Sequence, residues 1–252
     1  GFKVNMTAFR RRMARHNRSG AARSFVVRTM HGRDGAALFT GRLRWTDRVA
    51  LLADPPDKAL GHRSGPWMTD AINTLLREAK QEVRLVTPYF VPGNDGCDLL
   101  AGLARRGVRL SVMTNALSVT DMVLVHGAYR HYRLPLLQAG ARLFEFGPLP
   151  RPTGRRDLLH TKVFLIDGRQ AVVGSLNFDL RSAFMNTELG VLFEEPEVFA
   201  ELSAMFDRET APDQAHRLSL ASGRLCWSVI RGETDELVQF EPDSPMRLRA
   251  VC

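Results

Sequence analysis

Between Trp67 and Phe146 the apolar pattern switches period five times, and that alternation restricts the fold more than any other feature. "WMTDAINTLLREAK" has helical spacing at Met68, Ile72, Leu75, Leu76 and Ala79, and "EVRLVTPYF" (82–90) reads as a strand. "CDLLAGLARRG" (97–107) is a helix stopped by Gly107, "VRLSVMTN" (108–115) a strand, and "VLVHGAYRHYRLPLLQAG" (123–140) a helix that can kink at Pro135. "ARLFEF" (141–146) is a third strand. After the loop "GPLPRPTGRRDLL", read as a connector, come two strands within 160–174, another at "ELGVLFE" (188–194) and the helix "PEVFAELSAMFDRE" (196–209). A hairpin of "RLCWSVIRG" with "ELVQFEP" ends the readable part. Strand–helix alternation followed by a strand run predicts an α/β fold, a mixed sheet flanked by helices.

The N-terminal part is different. "RVALLADPP" (48–56) is a short strand stopped by two prolines, and the turn signal "HRSGP" (62–66) sets the expected domain boundary, with 1–64 before it and 65–252 after. No acidic residue precedes Asp34, whereas Lys3 and eight arginines do, so the first 34 residues carry the whole net charge of +8. Such a basic arm fits an anionic partner, a phospholipid surface or nucleic acid. It equally fits a solvated helix in a chain that uses 31 arginines and four lysines. Cys97, Cys226 and Cys252 lie far apart, without the spacing of a zinc site or a disulfide framework, which suits a reducing compartment. No run approaches 18 consecutive apolar residues. The chain starts without Met or a signal-peptide pattern and reads as a piece of something longer.

The chemistry concentrates in "HTKVFLIDGRQAVVGSLNF" (160–178). On a strand, His160, Lys162, Phe164 and Ile166 share one face, and Thr161, Val163 and Leu165 the other. His160 and Lys162 then project side by side, about 7 Å apart along the strand. An ammonium beside an imidazole disfavours imidazolium, so the pair is poor as a structural device. It suits phosphate well: Lys neutralises phosphate oxygens while neutral imidazole attacks phosphorus. The returning strand brings Gly174, Ser175 and Asn177 to the same end. Ser and Asn offer neutral donors there, and Gly permits close backbone approach.

His160-x-Lys162-x4-Asp167-x6-Gly174-Ser175-x-Asn177 resembles the motif of the phospholipase D superfamily at every position. "TPYFVPG" (87–93), "TNALSVTD" (114–121), "VHGAYRHYR" (125–133) and "DLRSAFMNTELGV" (179–191) further resemble the second catalytic lobe of bacterial cardiolipin synthases. The resemblance implies that His160 forms a phosphohistidine or protonates the leaving oxygen. It gives Lys162 and Asn177, with Ser175 beside them, the phosphate oxygens. It places Glu188 as the carboxylate hydrogen-bonded to the other histidine nitrogen, and Asp167 in a supporting role. No metal or other cofactor is implied. For His126, Tyr129, Arg130 and Arg133, contact with a substrate headgroup and an ordinary basic helix face both remain open.

The superfamily's active site needs two such motifs face to face, and here there is one. None of the other six histidines is followed by x-Lys-x4-Asp. Either a first catalytic lobe lies elsewhere, with 1–64 as an interlobe-like segment, or two copies of the chain pair their His160 side chains. The expectation is a phosphatidyl transferase acting on anionic glycerophospholipids, peripheral at the cytoplasmic face of a bacterial inner membrane. The alternatives are a one-motif homodimeric phosphodiesterase of nucleic acid and a catalytically incompetent lobe. A monomer of this chain alone is expected to be inactive.

Overall fold

The computed structural model describes residues 45–62, 65–147, 157–231 and 234–244, with Thr7, Arg11, Ala14, Arg15, Arg18–Gly20 and Arg23. Most of the expected basic arm, and loop positions 148–156, fall outside the described residues. The chain divides into two units, 1–47 and 48–252, and the second carries the sheet.

Ten strands form one mixed sheet. They are β1 (Val49–Ala53), β2 (Glu82–Val86), β4 (Arg109–Asn115), β5 (Arg142–Phe146), β6 (Val163–Ile166), β7 (Gln170–Gly174), β9 (Leu189–Phe193), β10 (Ala215–Ala221), β11 (Arg224–Arg231) and β12 (Thr234–Val238). Their spatial order is β1-β9-β7-β6-β2-β4-β5-β10-β11-β12. The β2–β4 and β4–β5 pairs are parallel and the remaining pairs antiparallel. The short strands β3 (Phe90–Val91) and β8 (Phe178–Asp179) pair in parallel beside it. Parallel neighbours require crossovers, which α2 (Gly93–Arg105) and α3 (Val123–Gln138) supply; the antiparallel part needs only tight turns.

Side-chain alternation sorts the core into two layers. Phe164 and Ile166 of β6 pack with Val83 and Leu85 against Met68, Ile72 and Leu76 of α1 (Met68–Glu78), beside Leu100 and Leu103 of α2. Val163 and Leu165 face the other way, onto Phe206 and Phe199 of α5 (Pro196–Glu209), which follows the short helix α4 (Leu180–Phe184). A helical period of four on α1 and a period of two on β6 thus meet in one layer, each buried Leu or Phe contributing about 1.5–3 kcal/mol.

Four boundaries differ from the sequence reading. The strand assigned to the N-terminal segment is the sheet's edge: β1 pairs with β9, Val49 opposite Phe193 through Ala53 opposite Leu189, so residues 48–62 belong with the sheet. Helix α2 starts one turn earlier than 97, because Gly93 takes φ 69°, a left-handed value that turns the chain out of β3 directly into the helix. The stretch 82–90 breaks at Thr87–Tyr89, where the Thr87 hydroxyl donates to the Tyr89 carbonyl (2.8 Å) and accepts from the Phe178 N–H (3.2 Å). The final hairpin gains a third strand, β10, which joins it to β5 through Ala215–Phe146 pairing.

Candidate active site

The motif hairpin is built as its pattern predicts, with β6 and β7 paired from Val163–Val173 to Ile166–Gln170. The ladder stops short of the histidine. Residues 157–162 lie outside any strand, although the Gly174 N–H still donates to the Lys162 carbonyl at 3.3 Å. His160 is exposed and Lys162 is buried at 8% exposure. The Lys162 ammonium donates to the His160 carbonyl at 2.7 Å and lies 3.2 Å from its ring Nδ1. Burial pulls the Lys162 pKa down, against the opposing fields of Glu188, Asp121 and Asp179. An ammonium so placed can hold a phosphate oxygen beside an accessible imidazole.

Ser175 and Glu188 are joined. The Ser175 hydroxyl donates to Glu188 Oε2 and accepts from the Leu189 N–H at 3.0 Å. The Asn186 amide donates to Glu188 Oε1 at 3.1 Å. Among the described residues these are the side-chain hydrogen bonds of Glu188, rather than the bond to His160 that the resemblance implies; Ser175 lies directly across the β7–β9 pair and takes the carboxylate first. Asn177 follows two residues later, half-buried, and its Oδ1 atom is buried without a hydrogen-bond partner among the described residues. Gly174 has a different use from the one expected. It sits opposite Gly190, where a Cβ would come 2.5 Å from the Leu189 carbonyl oxygen, so glycine lets β7 and β9 close behind the site.

Asp167 stands at the far end of β6 in the left-handed region, φ 52°. Its carboxylate accepts the backbone N–H groups of Lys80 (2.8 Å), Gln81 (2.7 Å) and Glu82 (3.0 Å). Burial would raise its pKa, but the N–H groups of Glu82, Gln81 and Lys80 outweigh that and lower it. It ties the β6–β7 turn to the entry of β2.

Helix α3 departs most from expectation. His126, Tyr129 and Arg133 are 3%, 2% and 1% exposed, while Arg130 is exposed, so a uniform basic face is excluded. The Arg133 guanidinium donates to Glu241 Oε1 (2.7 Å) and His126 Nε2 (2.8 Å), forms an ion pair with Glu145 Oε1 at 2.7 Å, and stacks over Tyr129. Trp227 Nε1 donates to the other Glu145 oxygen at 2.8 Å. Burial drives the Tyr129 phenol well above its ordinary pKa. His126, Glu145 and Glu241 have the donor types of a metal site, but the guanidinium occupies their centre. The helical spacing of three and four that reads as a surface stripe is here a buried ion cluster. Only the exposed Arg130, 3.8 Å from Glu241, remains placed for an outside partner.

Two features were missed. Asp54 accepts from the buried Lys58 ammonium (2.6 Å), from the Met68 N–H (2.8 Å) and from the Glu188 N–H (2.8 Å), which buttresses the backbone of Glu188. "ADPPDKAL" carries a carboxylate and an ammonium four apart, but nothing local says that they are buried. Tyr89 donates to Asp121 at 3.0 Å, on the side from which the Asp121 charge reaches Lys162.

A conserved-family profile described as "Cardiolipin synthase, PLD-like domain" matches residues 72–210, and the chain belongs to this phospholipase D-like family. Cardiolipin synthase C of Escherichia coli (strain K12) is 30% identical over 207 residues, 77% of this chain and 44% of that protein. The chain thus spans less than half the length of this relative. The fold is that of the phospholipase D family member Nuc from Salmonella typhimurium (TM-score 0.53, 17% identity, 68% of this chain and 97% of that one). It also matches phosphatidylserine synthase from Haemophilus influenzae Rd KW20 (TM-score 0.52, 14% identity, 75% and 45%). No helix among the described residues is long and apolar enough to cross a membrane.

Proposed function

We propose that the chain is one catalytic half of a phosphatidyl transferase of the cardiolipin synthase type, acting on phosphodiester bonds of anionic glycerophospholipids. The observation that carries this reading is the exposed His160 imidazole 3.2 Å from the buried Lys162 ammonium, on a chain 30% identical to a cardiolipin synthase. An imidazole nitrogen attacks phosphorus, the P–O bond to the departing alcohol breaks, and a phosphohistidine forms. The departing oxygen takes a proton from an acid on the opposite side of phosphorus. A second alcohol then displaces the histidine and yields its proton to that same group. Lys162 and Asn177, with Ser175 alongside, hold the non-bridging oxygens, and no metal takes part in the scheme. Glu188 reaches the histidine only by leaving Ser175.

The opposite acid is the part this chain does not supply. It comes from a first catalytic lobe, or from the His160 of a second copy. The setting proposed is peripheral, at the cytoplasmic face of a bacterial inner membrane. A nuclease-like homodimer is the second reading, favoured by nine bases without an acid before Asp34, which suit a nucleic-acid strand as well as a lipid surface. In the intact protein, His160→Ala lowers phosphatidyl transfer by several orders of magnitude, the scale of losing a nucleophile, at an unchanged unfolding temperature. Near-normal transfer by that variant overturns the assignment. Turnover of DNA but not of phosphatidylglycerol by the wild type favours the second reading.

A further inference from the structure

The backbone on which His160 sits is held by side chains rather than by a strand ladder. Regular pairing of β6 begins only at Val163. Just before the histidine, the Leu159 N–H donates to Asn115 Oδ1 at 3.0 Å, and Asn115 Nδ2 donates to the Leu159 carbonyl at 3.0 Å. One carboxamide thereby satisfies both backbone groups of Leu159, as a neighbouring strand would. Asn115 is 2% exposed at the end of β4, and its amide also reaches the Pro88 carbonyl at 3.3 Å. On the other side of His160, the Lys162 ammonium holds the His160 carbonyl at 2.7 Å.

Asn115 is itself fixed from behind. The Arg133 guanidinium can only donate, and its 2.8 Å contact outweighs the 3.5 Å approach of Glu241 Oε1 to the same nitrogen, so His126 Nε2 is the acceptor and the ring proton sits on Nδ1. That nitrogen lies 3.2 Å from the Asn115 carbonyl, to which it donates. Arg133 is in turn held by Glu241 and by Glu145. A continuous set of buried contacts therefore runs Glu241–Arg133–His126–Asn115–Leu159, ending one residue from His160.

We propose that Asn115 is a positioning residue for His160, with His126, Arg133 and Glu241 as its backing. The inference rests on His160 being the reacting group. It gives the segment that carries Glu241 a part in the reaction although Glu241 is itself buried. Misplacing a reacting atom by about 1 Å can cost about 100-fold in rate, so a clamp on the preceding residue acts on turnover more than on binding.

The test uses Asn115→Ala and Asn115→Asp, the latter of the same shape but with a second acceptor facing the Leu159 and Pro88 carbonyls. Ser111→Ala, buried in the same strand but four residues away, is the control for general destabilisation. In the intact protein, the Asn115 variants lower kcat by about 10–100-fold with KM within about twofold. In the chain itself, the carbon–proton ring signals of His160 shift and broaden in the same variants. Ser111→Ala leaves rate and ring signals as in the wild type. Should the Asn115 variants not fold, His126→Gln reports from one step further back and moves both readouts in the same direction. Unmoved ring signals, or a loss of kcat matched by Ser111→Ala at equal stability, overturn the proposal. Ring signals that move while the intact protein, with both halves of the site present, turns over no phosphodiester uphold the clamp and count instead against His160 as the reacting group.

Discussion

Removing the Asp167 carboxylate is expected to unsettle the sheet while leaving the phosphate-binding end intact. In Asp167→Ala three backbone N–H groups lose an ionised acceptor held at 2.7–3.0 Å. Bonds to charged groups are worth about 1.5–3 kcal/mol each, but water can replace this acceptor at the exposed Lys80 and Gln81, so about 1 kcal/mol per bond is the better figure. Alanine at φ 52° adds about 1 kcal/mol of backbone strain that aspartate and asparagine largely escape. The sum, about 3–4 kcal/mol, lowers the unfolding temperature by about 6–16 °C for a unit of this size. Asp167→Asn keeps one carbonyl for Gln81 and Glu82 but turns an amide toward the Lys80 N–H, and falls between wild type and alanine. The sign with pH is fixed by the lowered pKa of Asp167. Its contribution is complete above the ordinary carboxylate range and is lost as pH falls through the lower folded value, so wild type and Asp167→Ala converge in acid. Thermal unfolding of the three proteins across pH, with phosphate binding in parallel, is the assay. An alanine variant within about 0.5 kcal/mol of wild type, or one that folds normally but no longer binds phosphate, refutes the argument.

Lys58→Met leaves the Asp54 carboxylate buried without its cation. Breaking a buried pair from one side costs about 3–5 kcal/mol, and chemical denaturation showing less than about 1 kcal/mol would contradict the ion pair's structural part. Burial lowers the Lys162 pKa, so the site loses its positive charge, and its affinity for inorganic phosphate, at a lower pH than an ordinary lysine would. Calorimetric titration across the alkaline range checks this; affinity that persists as far as for a surface lysine would place the phosphate elsewhere.

How much of this was legible follows from what is local. The β6–β7 hairpin could be read locally, because Val163–Ile166 and Gln170–Gly174 are short, largely apolar runs joined at the turn signal Asp167-Gly168. Helix α5 was bounded correctly by Pro196 and the polar "DRET" end. The family's motif placed His160, Lys162, Ser175 and Asn177 at one end of the sheet. What the sequence hid is tertiary pairing. Arg133 has the same one-dimensional signature as the exposed Arg130 three residues earlier, and only the arrival of Glu241 from 108 residues away makes it a buried ion. Asp54 and Lys58 fell in the segment placed before the 62–66 turn and outside the sheet, yet β9 needs an edge partner and β1 supplies it. The Glu188 carboxylate was assigned to the histidine, while the nearer hydroxyl of Ser175 holds it.

The central claim is that His160 is half of a two-sided site, and mass-resolved activity tests it most directly. In-line displacement needs a nucleophile on one side of phosphorus and a proton donor on the other, and one imidazole cannot be both in the same step. The purified chain is separated by size with light scattering, and each fraction is assayed for phosphatidyl transfer and phosphodiester cleavage. The account predicts phosphate affinity without turnover in the monomer. Activity appears only in a dimer or after a first catalytic lobe is supplied, and is lost in His160→Ala. Sustained turnover by a verified monomer would contradict it.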